Sequence, residues 1–160
     1  TAASPPPPPA ASDAEQGLQQ LSRVLTSLGY NEMASEAPLL ARWPGAGAIT
    51  VFAAPDSFLQ AACPMCSRRH LLERTSPWAT TPTPRSELAA AATMKIPCAS
   101  VGFCIKVVTE RGPFGIHYAR MYADGVEVSH PELYNDGRYV VHGLHGFLRP
   151  LTHSCFDGPH

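Results

Sequence analysis

The order of hydrophobic periods along the chain predicts an α+β domain, with helices first and strands later. Near the start, Leu18, Leu21, Val24, Leu25 and Leu28 recur at the spacing of one helix face. From Phe103 onward apolar residues alternate instead, as they do on a half-buried strand. The regular alternation of strand and helix that builds a parallel sheet is missing. A chain of 160 residues, 44% of them hydrophobic, can bury one core, so a single domain is expected over residues 13–152. A Pro-rich disordered spacer is expected at 1–12 and a polar tail at 153–160.

The run Pro5 to Pro9 favours extended polyproline II without internal hydrogen bonds, which makes a solvated spacer. Ser12 with Glu15 forms a capping box, and the leucine stripe that follows predicts a helix ending at Gly29. A second helix is expected over residues 31–41, with Met33, Ala37 and Leu40 inward and Pro38 breaking or displacing it. Trp43-Pro44-Gly45-Ala46-Gly47 is a turn into the strand Ile49-Thr50-Val51-Phe52-Ala53. Pro55 stops that strand and suits the first turn of a helix running toward Ala62, where the Asp56 carboxylate meets partial positive charge.

Cys63-Pro64-Met65-Cys66 interrupts the helix, and residues 67–74 resume one through Leu71 and Leu72. Threonines and prolines over residues 75–85 predict an exposed loop, after which Ser86 and Glu87 open a short helix across residues 88–92. In the second half, Phe103, Ile105, Val107 and Thr109 share one face of a strand, and Ile116, Tyr118, Arg120 and Tyr122 continue the pattern. Asp124-Gly125 is a two-residue hairpin turn, because Asp-Gly supplies the positive φ of a type I′ turn. Val126 and Val128 begin the return strand, Asn135-Asp136-Gly137 turns again, and residues 139–142 and 147–148 supply two more strands.

Charge narrows the choice of partners. With 12 Lys+Arg against 13 Asp+Glu and no basic block, the chain has no electrostatic footprint for nucleic acid or an anionic membrane. No apolar run reaches the roughly 18 residues of a transmembrane helix. The start at Thr1, without an apolar leader, reads as a processed or trimmed form, and the polar end gives no expectation of a glycolipid anchor unless its tail was removed.

Cys63, Cys66, Cys98, Cys104 and Cys155 allow two disulfides and one leftover thiol, with the connectivity open. Cys63 and Cys66 have the spacing of a redox pair, but a thioredoxin-like site follows a strand, and here a helix precedes it. A structural disulfide is expected instead, with Cys104 and Cys155 as open partners. Cys63, Cys66 and His70 are legal zinc-ligand types but lack a second closely spaced pair, so no metal and no cofactor is expected. Nucleophile elbow, zinc-protease helix, phosphate loop and dinucleotide fingerprint are all missing, and no spacing pairs two carboxylates. The chain is therefore read as a non-enzyme.

Two stretches carry a family resemblance. Thr50-Val51-Phe52-Ala53-Ala54-Pro55-Asp56-Ser57-Phe58 resembles the first signature of the fasciclin (FAS1) domain, Thr-Val-Phe-Ala-Pro-x-Asp-x-x-Phe, with one extra residue or a shift around Ala53-Ala54. Roughly eighty residues later, residues 134–150, with Tyr139-Val140-Val141-His142-Gly143 at their centre, resemble the second signature. The resemblance covers about Asp13 to Leu151. The chain departs from the family between the signatures, where the usual Tyr-His pair is replaced by His70-Leu71-Leu72.

The resemblance implies the FAS1 fold, a bent β-sheet wedge with a helical layer, and marks Thr50, Val51, Phe52, Pro55, Asp56, Val141, His142 and Gly143 as fold-signature residues. It implies that His142 is buried and hydrogen-bonded toward Thr50 or Asp56. It also implies a secreted, plant-type adhesion or matrix module that binds cell-wall or cell-surface glycans or proteins, with a developmental role. The Ala/Ser-Pro head resembles glycosylated cell-wall segments, and disulfides among Cys63, Cys66, Cys104 and Cys155 suit that compartment. Tyr134, Arg138 and Tyr139 are the candidate contact residues, since Tyr and Arg are favoured at interfaces. The alternatives are a redox-active or metal-binding protein using Cys63 and Cys66, and a module for a small apolar ligand such as a pigment or lipid.

Overall fold

A computed structural model describes residues 13–100, 102–110, 120–148 and 154–155. The Pro-rich head, Ser12 of the expected capping box, Ile116, Tyr118 and nearly all of the tail lie outside the described residues. The helices are α1 (Asp13–Ser27), α2 (Asn31–Glu36), α3 (Asp56–Ala62), α4 (Arg68–Thr75) and α5 (Arg85–Ala90), with a 3-10 helix at Ala37–Arg42. The strands are β1 (Ile49–Ala53), β2 (Trp78–Thr80), β3 (Thr93–Pro97), β4 (Cys104–Glu110), β5 (Arg120–Ala123), β6 (Val126–Glu127), β7 (His130–Asn135) and β8 (Tyr139–Gly143). The fold is mixed α+β, and the described residues form two four-stranded sheets ordered β2-β1-β8-β7 and β3-β4-β5-β6.

The stripe on α1 buries Leu18, Leu21, Val24 and Leu25 as its spacing requires. The expected second helix divides in two. Pro38 has no N–H to continue an α ladder, so α2 ends at Glu36 and the tighter 3-10 turn takes over, with Met33 and Ala37 fully buried.

At the centre of the first sheet β1 lies parallel to β8, with Thr50 beside Val140, Val51 beside Val141 and Phe52 beside His142. Every residue of both strands is buried, because both faces of this sheet are covered. Ile49, Val51, Ala53, Tyr139 and Val141 pack against Leu18, Leu21, Leu25 and Met33 of the helical layer. On the other face Phe52, Ala79 and Leu144 meet Ile105, Val107, Met121 and Ala123 of the second sheet.

Gly17 marks how closely the helical layer approaches. A Cβ at this position would strike the Tyr139 hydroxyl and ring. That hydroxyl is held in the interior, donating to the Ala46 carbonyl at 3.1 Å. Gly17→Ala is therefore expected to destabilise the domain by about 1–2 kcal/mol in urea denaturation, although Ala is the better helix former by about 1 kcal/mol. Tyr139→Phe, which removes the obstructing hydroxyl, should recover part of the loss. A stabilising Gly17→Ala would contradict this packing.

Three local expectations are corrected, and one strand is unexpected. Residues 75–85 are not all exposed loop: β2 lies within them, with Trp78 and Ala79 buried and Trp78 paired antiparallel to Val51. Strand β3 has no alternating signature, and its place comes from pairing with β4. On β5 the inward residues are Met121 and Ala123, the opposite parity from Arg120 and Tyr122. Phe147 and Leu148 form no strand but pack against the core as side chains. The Asp124-Gly125 turn forms as expected, with φ of 49° and 83°, and the Asp124 carboxylate accepts the Lys106 amide at 2.9 Å.

Candidate functional site

The two signature strands meet through a threonine and a histidine. Thr50 Oγ1 donates to the Thr81 carbonyl at 2.8 Å and accepts the Thr83 amide at 2.7 Å. His142 lies beside this segment, its Nε2 2.9 Å from the Thr83 carbonyl and its Nδ1 2.8 Å from the Glu132 amide. An amide N–H can only donate, so Nδ1 is the bare acceptor. The ring is then neutral, and Nε2–H donates to Thr83. Burial favours that state by pushing the imidazole pKa down, against the Thr83 carbonyl and the Glu132 charge, which act to raise it.

The Glu132 amide is available because β7 is irregular between His130 and Tyr134, and Glu132 has φ of +53°. A residue displaced from the ladder leaves its N–H unpaired by the neighbouring strand, and His142 takes it. The expected bond from His142 to Thr50 or Asp56 is therefore corrected: it goes to Thr83, which Thr50 also grips. Thr83 and Glu132 had no signal in the sequence, since their backbone groups rather than their side chains do this work.

Asp56 acts elsewhere. Its carboxylate accepts the Asn31 amide at 3.3 Å and the Glu32 amide at 2.9 Å, capping α2, whose own cap residue Tyr30 makes no side-chain bond. It also stands in the first turn of α3, as its position predicts, while Pro55 takes the cap position just before that turn. Val51 and Val141 are core residues, and Phe52 lies beside the His142 ring with centroids 5.7 Å apart. Gly143 admits a close neighbour, since a Cβ there would come within 2.5 Å of the Tyr30 hydroxyl.

The three candidate contact residues separate. Tyr139 is 2% exposed and belongs to the core, so its assignment to a surface is corrected: its position in β8 points it at the helical layer. Arg138 stays exposed on the β7–β8 turn, while Tyr134, in β7, is half-buried, its ring packed against the edge of the core. Asp136 organises this corner, accepting the Tyr134 hydroxyl at 2.8 Å and the amides of Arg138 and Tyr139 at 2.9 and 2.7 Å. Burial acts to raise the Asp136 pKa, but these hydrogen bonds and the Arg138 charge outweigh it and hold the carboxyl below its ordinary range. Arg138 Nε donates to the Gly47 carbonyl at 3.1 Å, and its guanidinium lies 5.6 Å from the Tyr139 ring centroid. The corner presents a phenol and a guanidinium held in fixed directions.

The cysteines pair as Cys63 with Cys66 and Cys104 with Cys155, and Cys98 is free and buried. The candidate bridge from Cys63 or Cys66 to Cys104 or Cys155 is thus corrected, because each pair closes within its own part of the fold. With Cys63 and Cys66 bonded to each other, neither is a thiolate for zinc. Among the described residues no group of three His, Cys, Asp or Glu side chains could hold a metal ion. No helix among them is long and apolar enough to cross a membrane.

Beside the Cys63–Cys66 bridge lies a cavity of about 550 Å³ between α3, α4 and residues 147–148. Phe58, Ala61, Ala62, Leu71, Phe147 and Leu148 supply its apolar lining, and Arg74 and Thr75 its polar groups. A smaller cavity of about 180 Å³ lies on the other side of α4, against Leu39, Leu40, Leu72 and Trp78. Compared with protein-family models and with curated proteins, the chain matches none.

Proposed function

We propose that the chain is a FAS1 domain acting without catalysis as an extracellular adhesion or matrix module that binds cell-wall or cell-surface glycans or proteins. The observation that carries this reading is the parallel pairing of β1 with β8, since those strands hold the two stretches that resemble the FAS1 signatures. The two disulfides support an oxidising compartment. Tyr134 and Arg138 form the contact face: an aromatic ring and a guanidinium held by Asp136 and Gly47 lose little freedom on binding.

The test is a binding screen of the disulfide-intact protein against wall polysaccharides and extracellular proteins, with the Tyr134→Ala, Arg138→Ala double variant alongside. Saturable binding to one of these classes is expected, weakened about tenfold or more in the variant at a temperature where circular dichroism shows both proteins folded. Equal binding by both proteins would remove this face. No binding to any member of either class would remove the adhesion reading.

A further inference from the structure

Helix α4 carries three arginines with different fates. Arg68 pairs with Glu32 at 3.0 Å and donates to the Leu59 carbonyl, and Arg69 pairs with Glu73 at 3.4 Å. Arg74 stands on the wall of the 550 Å³ cavity, and among the described residues it has no ion pair and is the only charged side chain lining that wall. Apart from Thr75, the rest of the described wall is apolar, with Phe58, Leu71, Phe147 and Leu148 and the Cys63–Cys66 bridge. Phe58 is 39% exposed there, which leaves part of its ring open to the cavity.

We infer that this cavity binds a small amphiphilic carboxylate, its apolar body among Phe58, Leu71 and Phe147 and its carboxylate on the Arg74 guanidinium. Size permits it, since small-molecule sites run from roughly 300 to 1,000 Å³. The 180 Å³ cavity falls below that range, and its arginine, Arg69, is already engaged by Glu73. Charge selects the head group: one unpaired guanidinium matches one carboxylate, which its planar fork can hold with two parallel hydrogen bonds. A dianion such as a phosphate monoester is disfavoured, because Arg74 lies in the last turn of α4, where the helix presents partial negative charge. The other polar lining group offers no competing donor, as Thr75 Oγ1 already donates to the Leu71 carbonyl at 3.0 Å. This inference is independent of the adhesion reading, and either can fail alone.

The probe is cis-parinaric acid, an intrinsically fluorescent polyene carboxylate, titrated into the disulfide-intact protein, with its methyl ester as the neutral counterpart. The expected result is saturable binding of the acid, with the ester about tenfold weaker. Arg74→Gln should abolish the difference between acid and ester, whereas Arg23→Gln, on an exposed face of α1, should preserve it. Ala62→Phe, a substitution at an exposed lining position, should fill the cavity and remove binding of both probes. Ala61→Phe repeats that test should Ala62→Phe lower the melting temperature. Absence of saturable binding, equal affinity for acid and ester, an Arg74→Gln protein that keeps the preference, or full binding by a folded cavity-filled variant would each overturn the inference.

Discussion

His142→Ala is expected to destabilise the domain by about 3 kcal/mol, measured by urea denaturation at pH 7.5. The substitution removes a ring that joins two segments distant in sequence, and strands the Thr83 carbonyl and the Glu132 amide without partners. It also opens space beside Phe52, which is fully buried. The same residue gives the wild type an acid sensitivity. Because burial lowers its pKa, the folded protein takes up a proton less readily than the unfolded chain, whose imidazole titrates near about 6.5. The stability from this group is complete above that pH and is lost as the pH falls from there toward the folded-state pKa, by up to about 1.4 kcal/mol per pH unit. Wild-type protein should therefore be less stable at pH 5.5 than at pH 7.5, and His142→Ala should lose less on the same step. An identical drop in both proteins would show that His142 is not the group that titrates.

Removing the Cys104–Cys155 disulfide by a Cys104→Ser, Cys155→Ser double substitution should cost about 4 kcal/mol, against about 2 kcal/mol for Cys63→Ser, Cys66→Ser. The difference follows from the chain each bond closes. Cys104 and Cys155 are 51 residues apart in sequence, and the loop between them contains all of β5 to β8. Cys63 and Cys66 are three residues apart, so their bond restrains the unfolded chain little. Denaturation of both variants under non-reducing conditions checks the order. A larger loss from the short bridge would mean that the Cys63–Cys66 loop has a packing role that chain entropy does not describe.

Between the two disulfides in sequence lies Cys98, whose thiol donates to the Phe103 carbonyl at 3.2 Å across the connection from β3 to β4. Which cysteine would be left over was not legible, because nothing in five spacings distinguishes a thiol buried by a hairpin from one brought to a partner. The surface corner shows a similar division. Tyr134 and Tyr139 look alike as residues flanking an Asn-Asp-Gly turn, yet one is half-buried at the edge of the core and the other is 2% exposed within it. The difference comes from strand order, since β7 is the edge of its sheet and β8 lies inside it, and neither short stretch states that order.

Local physics settled much of this molecule before any contact was known. The leucine stripe made α1, Pro38 divided the next helix, Pro55 with Asp56 turned strand into helix, and Asp124-Gly125 closed a hairpin, each through interactions within a few residues. Tertiary structure alone decided the rest: that β1 runs parallel to β8, that Trp78 lies in a strand, that His142 bonds Thr83, and that Arg74 faces an apolar cavity. These features depend on backbone groups and side chains brought together from distant parts of the chain. Their energies arise only after the chain has closed on itself, so no short window of residues contains them.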